Sequence, residues 1–409
     1  MLLQDINYRA MVILKAKMVV NKRLIQPLLN GKTPWQFAQR IFLNCFFIVL
    51  WAASTLFIDH IPRSEFIMIK FLLRLDNYLF NPSSSYIGLF TFLLVLFSGS
   101  WLLYVKYYSK PLVQNSIQDD GAGDYELLNL PLGANEFNDD SINNKRLVNH
   151  IKHSHSWKPY NCWSQGPPIL LACSWFILNL LFTLKLPINK AKNLIAWIFY
   201  VILHFLVPIF VGFWLYLFQP SGALGIYAVS IGLQNMLIAF THLIFPNAPP
   251  LYIKLYGENK QPTYDMIYAD GITRQDMKIG QRIYKAVYYA TPHKFASLPS
   301  IHSSMTSLIF FYVSYYSRWT LFKILAFVYL LGQWWSALYL DHHWRFDLLV
   351  GLVYSILVFT FFRICRNGLG RVDENFIRAR LRHDFKGSST MGMRIFKNTR
   401  FQNLFDPLA

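Results

Sequence analysis

Acidic residues are scarce in this chain: 21 Asp and Glu stand against 39 Lys and Arg, a formal net charge of +18. Charge of either sign is itself sparse, at 15% of residues, and it leaves long stretches of Leu, Ile, Phe and Tyr uninterrupted. The four cysteines, Cys45, Cys162, Cys173 and Cys365, show no paired metal-ligand spacing and no disulfide framework. They read as small apolar residues in or near hydrophobic segments. No long-period repeat is present, which excludes a solenoid. Met1 to Arg40 has no early apolar core and no small-residue cleavage site, so no cleavable signal peptide is expected. A soluble chain of this length would divide into two or three domains. A hydrophobic content of 54%, with 17% aromatics, points instead to a chain built for a bilayer.

Eight apolar runs approach the roughly 17–25 residues that a spanning helix needs: 41–58, 86–105, 168–184, 194–218, 222–245, 299–317, 320–340 and 347–364. The expected fold is therefore all-α, a polytopic membrane bundle of about eight helices. The layout is a basic arm (1–40), two spans (41–105), a polar linker (106–166), six further spans (167–364) with a loop at 246–298, and a basic tail (365–409). Arm and tail are both rich in Lys and Arg, so the positive-inside rule places both termini in the cytosol. Lys185, Lys190 and Lys192 oppose that orientation and are outvoted by the two tails. The basic tail fits attraction to anionic lipid rather than to nucleic acid.

Chemistry concentrates in two segments. In the second, Trp334 to Asp347, His343 and Asp347 are four apart, a spacing that stacks them on one helix face with the carboxylate leaning back toward the imidazole. In the first, Pro299 and Ser300 suit a helix start, which puts His302 in the first turn of the sixth run. That run crosses, turns at Tyr316 to Trp319, and the seventh returns to Leu340, so His302 and His343 should emerge on one face, lumenal by the orientation above. Two histidines and a carboxylate there fit phosphoryl transfer through a covalent histidine. Asp347 marks His343 as nucleophile, leaving His302 as acid and base. His302, His343 and Asp347 can alternatively bind zinc, although no cysteine or further carboxylate completes such a site. His204 and His242 read as packed, hydrogen-bonding residues of spans. His342 points about 100° away from His343 on a helix. Trp334, Trp335 and Tyr339 read as interfacial aromatics.

Pro299, Ser300 and His302, then Ser336, His343 and Asp347, resemble the Pro-Ser-Gly-His and Ser-Arg-x5-His-x3-Asp signatures of the membrane-bound type 2 phosphatidic acid phosphatase superfamily. The resemblance implies a six-helix core formed by spans three to eight, a nucleophilic second histidine, an acidic first one, and no metal or other cofactor. Two departures matter. Ala337 replaces the arginine after the serine, and no Lys-x6-Arg-Pro segment is found. A phosphodiester carries one negative charge and needs fewer cations than a monoester dianion, so the losses argue for a transferase using a diester.

Residues 190–364 and the extreme C-terminus look like the fungal inositolphosphoryl-sphingolipid synthases. Phe245 to Pro250, Gly271 to Asp276 and the two histidine segments carry that likeness. Gly232 to Asn235, Arg345 to Asp347, Gly392 to Phe396 and Phe405 to Ala409 resemble the branch that makes mannosyl-diinositolphosphoryl-ceramide. The resemblance implies a Golgi membrane, phosphatidylinositol as donor and a mannosylated inositolphosphoryl-ceramide as acceptor; the alternatives are ceramide as acceptor, water as acceptor in a lipid phosphatase, and a non-enzymatic lipid-binding protein that keeps the fold. Arg274 is then the best remaining cation for the phosphodiester. Ser300 donates to a phosphate oxygen or simply caps its helix. Asp341, where the family usually has threonine, either favours a charged imidazole or faces solvent.

Overall fold

The computed structural model describes residues 25–30, 32–56, 67–80, 160–263, 266, 295–365 and 367–408. The expected run at 86–105, Arg274 and most of the 106–166 linker lie outside the described residues. Within them the chain is a helical bundle with no strand, only isolated bridges that join Met68 to Asn247 and Asn247 to Ala296.

The principal helices are α1 (Pro34–Leu56), α2 (Lys70–Phe80), α3 (Tyr160–Thr183), α4 (Lys190–Phe218), α5 (Ala223–Ile244), α6 (Pro250–Tyr256), α7 (Ile301–Tyr316), α8 (Thr320–Tyr339), α9 (Arg345–Ile364), α10 (Leu369–Leu381) and α11 (Met391–Ile395). Seven of the eight expected runs fall on these helices. Helix α3 starts at Tyr160, inside the stretch read as linker. By length and composition, Pro34–Ala53, Lys190–Phe218, Ala223–Ile244, Thr320–Tyr339 and the segment Arg345–Leu381 can cross a membrane. Helix α7, at 16 residues, is about 24 Å long, shorter than a typical hydrocarbon core. Its nearly continuous burial explains why it need not meet lipid along its length: Ser303 through Ile309, Phe311 and Tyr312 are all covered.

The helices alternate in direction. The ends near 183–190, 244–250, 300 and 339–345 lie together, which gathers the motif residues at one end of the bundle. The layers pack closely where residues are small. A β-carbon on Gly351 of α9 would lie 2.7 Å from the Ser300 carbonyl oxygen and 2.9 Å from Ser303 Cβ, so only glycine lets α9 lie this close to α7. On α5, Gly225 and Gly232 admit α1: a β-carbon at Gly232 would lie 2.6 Å from the Ile48 backbone nitrogen. The first span is thus packed against the bundle. Polar side chains tie helix to helix inside the apolar core, as in Ser230 with the Tyr312 hydroxyl at 2.7 Å and Trp334 Nε1 donating to Ser303 Oγ at 2.8 Å. Trp334 and Tyr339 are accordingly buried, which corrects their reading as interfacial aromatics, while the half-buried Trp335 stacks on Tyr339.

At the opposite end the C-terminal segment folds back. Arg380 of α10 grips Asp406 through both carboxylate oxygens at 2.9 and 3.0 Å, and Arg318 donates to the Asp406 and Leu404 carbonyls. The Phe405 ring stacks on Phe396 and packs against Phe218.

Candidate active site

Helix α8 ends at Tyr339 and α9 begins at Arg345, so His343 lies in the turn between them and not on a helix. The expected four-residue stack is realised differently. Asp347 is the third residue of α9, and its Oδ2 accepts from the Trp344 backbone N–H at 2.9 Å, fixing the helix start. The same oxygen accepts from the Ser297 hydroxyl and lies 3.7 Å from His343 Nδ1. That separation is an ion-pair distance, too long for a hydrogen bond. The direct partner of His343 Nδ1 is the Ser297 carbonyl at 3.0 Å. A carbonyl only accepts, so Nδ1 carries the proton and Nε2 keeps its lone pair. Such an imidazole can attack an electrophile through Nε2.

His302 occupies the first turn of α7, as expected, with its ring centroid 5.7 Å from that of His343. Two turns from different helices therefore bring the imidazoles within reach of one bound phosphoryl group. Ser300 caps α7, its hydroxyl accepting from the Ser303 N–H at 3.3 Å, and it is fully buried. The Ser300 N–H donates to the Asp347 carbonyl at 3.2 Å, which couples the two helix starts. His242, read as a packing residue, places Nε2 2.9 Å from the Pro299 carbonyl. His204, read the same way, packs on His302 itself, with centroids 4.3 Å apart. Tyr200 lies flat on His302 as well, with ring centroids 3.8 Å apart.

Two charge clusters brace the turn. Helix α2, which no apolar run announces, carries Asp76 into the bundle. Arg345 donates to Asp76 Oδ2 from Nε at 3.0 Å and Nη2 at 2.7 Å, and the Phe346 N–H donates to Oδ1 at 3.2 Å. Burial pushes the Asp76 carboxyl up from its ordinary value, and Arg345 opposes that push. The second cluster centres on Asp341, which has φ 57° and is buried. It is turned away from solvent: Lys185 approaches Oδ1 at 3.2 Å and Lys254 grips Oδ2. Leu251 N–H donates to the Asp341 carbonyl at 2.9 Å. The loop after α3 and helix α6 are thereby pinned to the residue two places before His343. Burial holds the Lys185 ammonium below the ordinary lysine range, with Asp341 pulling back and Lys254 adding to the depression.

Of the residues singled out in the sequence, His302, His343, Asp347 and Ser300 converge here, and Arg274 lies outside the described residues. Sequence reasoning missed Asp76, Lys185, Lys254, Tyr200 and the Ser297 carbonyl. Asp76 and Tyr200 act across helices remote in sequence, and a backbone acceptor leaves no residue-type signal. Arg345, inside a recognised stretch, was the one clue that a buried carboxylate must lie near.

Residues 174–361 match the PAP2 superfamily. Inositolphosphotransferase 1 of Saccharomyces cerevisiae is 24% identical over 351 residues, covering 54% of this chain and 66% of that protein. Inositol phosphorylceramide synthase of Candida albicans is 32% identical, covering 41% of this chain and 36% of its own. The inositol phosphorylceramide synthase catalytic subunit of Schizosaccharomyces pombe is 28% identical, covering 45% and 43%. The chain thus spans less than two thirds of the length of each. No solved structure matches it.

Proposed function

We propose, from the match of residues 174–361 to the PAP2 superfamily, that this chain is an integral membrane phosphotransferase that moves phosphoinositol from phosphatidylinositol to a mannosylated inositolphosphoryl-ceramide. His343 Nε2 attacks the donor phosphorus. The bond to the diacylglycerol oxygen breaks, and His302, protonated, gives that oxygen its proton. The acceptor hydroxyl then attacks the phosphohistidine while His302 takes its proton, which returns both imidazoles to their starting states. Asp347 stabilises positive charge on the phosphorylated ring, and the Ser297 carbonyl holds its Nδ1–H. Ser300 sets the start of α7. Arg274 is the cation assigned to the phosphodiester. Residues 167–364 make up the catalytic core, with its loop at 246–298 and the site on the lumenal side of a Golgi membrane. The arm 1–40, linker 106–166 and tail 365–409 are cytosolic.

The observation that carries the reading is the pair of imidazoles 5.7 Å apart, one with its Nδ1 tied to a carbonyl. Replacing His343 by alanine should abolish transfer of labelled phosphoinositol in isolated membranes, and unchanged transfer would sink the mechanism. The acceptor is a separate matter. The two named inositol phosphorylceramide synthases are more identical to this chain, over shorter stretches, than the inositolphosphotransferase. Ceramide as acceptor, with identical chemistry, is therefore the second reading. Purified protein offered both acceptors with labelled phosphatidylinositol decides between them: label in a mannosylated di-inositol lipid supports the first, label in an inositolphosphoryl-ceramide the second.

A further inference from the structure

Helix α4 is not regular along its length. From Ile198 to Leu203 it widens into a π-helical turn. Such a turn inserts a residue into the helix, shifts the faces on either side of it, and recurs at functional sites. Here helix α8 holds it. Gln333 Nε2 donates to the Phe199 carbonyl, and the Tyr329 hydroxyl donates to the Leu203 carbonyl at 3.1 Å. Gly332, beside Gln333, leaves the space that the Phe199 ring fills, and any β-carbon there would collide with that ring.

What the turn delivers is aimed at the reacting pair. The Tyr200 ring lies on His302 with centroids 3.8 Å apart and planes 17° apart. His204, one turn further on, lies 4.3 Å from His302 at 37°. Tyr200 also reaches His342, at 5.1 Å. The titratable groups facing His302 are thus Tyr200 and His204 of α4, and His342 and His343 of the turn before α9. Any of these imidazoles that takes up a proton would repel positive charge on His302. The phenol ring stays uncharged and offers the negative face of a π-system, which attracts a cation placed over it within about 6 Å.

We infer that Tyr200, set by the π-helical turn, is a positioning residue for His302: its ring fixes the imidazole plane and favours the protonated form that gives its proton to the leaving alkoxide. The inference rests on the phosphohistidine reading above. In the first half-reaction the imidazolium N–H passes its proton to the diacylglycerol oxygen and becomes neutral. In the second the neutral ring takes the proton of the acceptor hydroxyl. Loss of the Tyr200 ring therefore depletes the acid form that starts the cycle, and the loss grows as pH rises.

The test is the pH profile of diacylglycerol release in a single turnover without acceptor, for wild type, Tyr200→Leu and Tyr200→Phe. In Tyr200→Leu the alkaline limb should move down by about 0.5–1 pH unit, with KM for phosphatidylinositol within roughly twofold of wild type. Tyr200→Phe keeps the ring face and should superimpose on wild type. A Tyr200→Leu protein that melts like wild type and keeps its profile overturns the inference, as does a Tyr200→Phe that shifts equally. A second measurement needs no turnover: diethyl pyrocarbonate labels neutral imidazole, and its extent at His302 against pH is read by mass spectrometry. The labelling midpoint should fall in Tyr200→Leu, and an unmoved midpoint refutes the role. A midpoint that falls in a protein transferring no phosphoinositol sinks the transferase reading and leaves the ring contact standing.

Discussion

Replacing Asp76 by asparagine tests how far the site depends on a helix that contributes nothing to the chemistry. Asp76 Oδ2 takes two charged hydrogen bonds from Arg345, at 3.0 and 2.7 Å, and Oδ1 takes the Phe346 N–H at 3.2 Å. Asparagine keeps an acceptor for the N–H but removes the countercharge. The Arg345 guanidinium would then be left buried with the Asn179 oxygen at 3.1 Å, the Phe80 carbonyl at 3.4 Å, and the faces of Phe182 and Phe80 at 4.3 and 4.8 Å. Removing one partner of a buried pair costs about 3–5 kcal/mol, and the remaining neutral acceptors and rings put this case near 3. At roughly 2–4 °C per kcal/mol, the melting temperature in detergent should fall by about 6–12 °C. Arg345 and Phe346 immediately precede Asp347, so the first turn of α9 should shift as well. A displacement near 1 Å costs on the order of 10²-fold in rate, to be read as phosphoinositol transfer well below the melting point. The double variant Asp76→Asn with Arg345→Met removes both charges and should recover most of the stability. A single variant within about 0.5 kcal/mol of wild type, or a double variant less stable than Asp76→Asn alone, would refute the reasoning.

Four further outcomes are expected. Asp341→Asn preserves a residue type that tolerates φ 57° but strips Lys185 and Lys254 of their countercharge, so stability should fall by about 1–3 kcal/mol, measured by thermal melting; an unchanged melt refutes the clamp. The folded state binds the Lys185 proton less tightly than the unfolded chain, whose value is 10.5. Stability from this site therefore rises with pH between the lowered value and 10.5, and wild type should gain on Lys185→Met across that window; a flat difference contradicts the sign. Gly232→Ala forces α1 away from α5, because the new carbon would meet the Ile48 nitrogen at 2.6 Å; the variant should melt earlier, while a melt like wild type would show that the contact gives way cheaply. Arg380→Ala should release the C-terminal segment and expose it to limited proteolysis, and a resistant segment would mean that Phe405 packing suffices without the ion pair.

The sequence alone determined the helical bundle, because apolar runs of spanning length have few other ways to satisfy their backbone in lipid. Counting crossings also put His302 and His343 at one end, where the structure sets them 5.7 Å apart. The C-terminal Phe405 to Leu408 stretch was legible only as a likeness, and the clasp of Asp406 by Arg380 gives it a packing reason. Tertiary structure decided the rest. The His343 tautomer depends on a carbonyl 46 residues away, the partners of Asp341 come from 156 and 87 residues away, and Asp76 meets Arg345 across 269. Periodicity reports which face of one helix is apolar, but a polar contact across helices is set by crossing angles, by a π-helical turn in α4, and by glycines such as Gly351 that let α7 and α9 close. Those are properties of pairs of elements, which no single stretch of sequence carries.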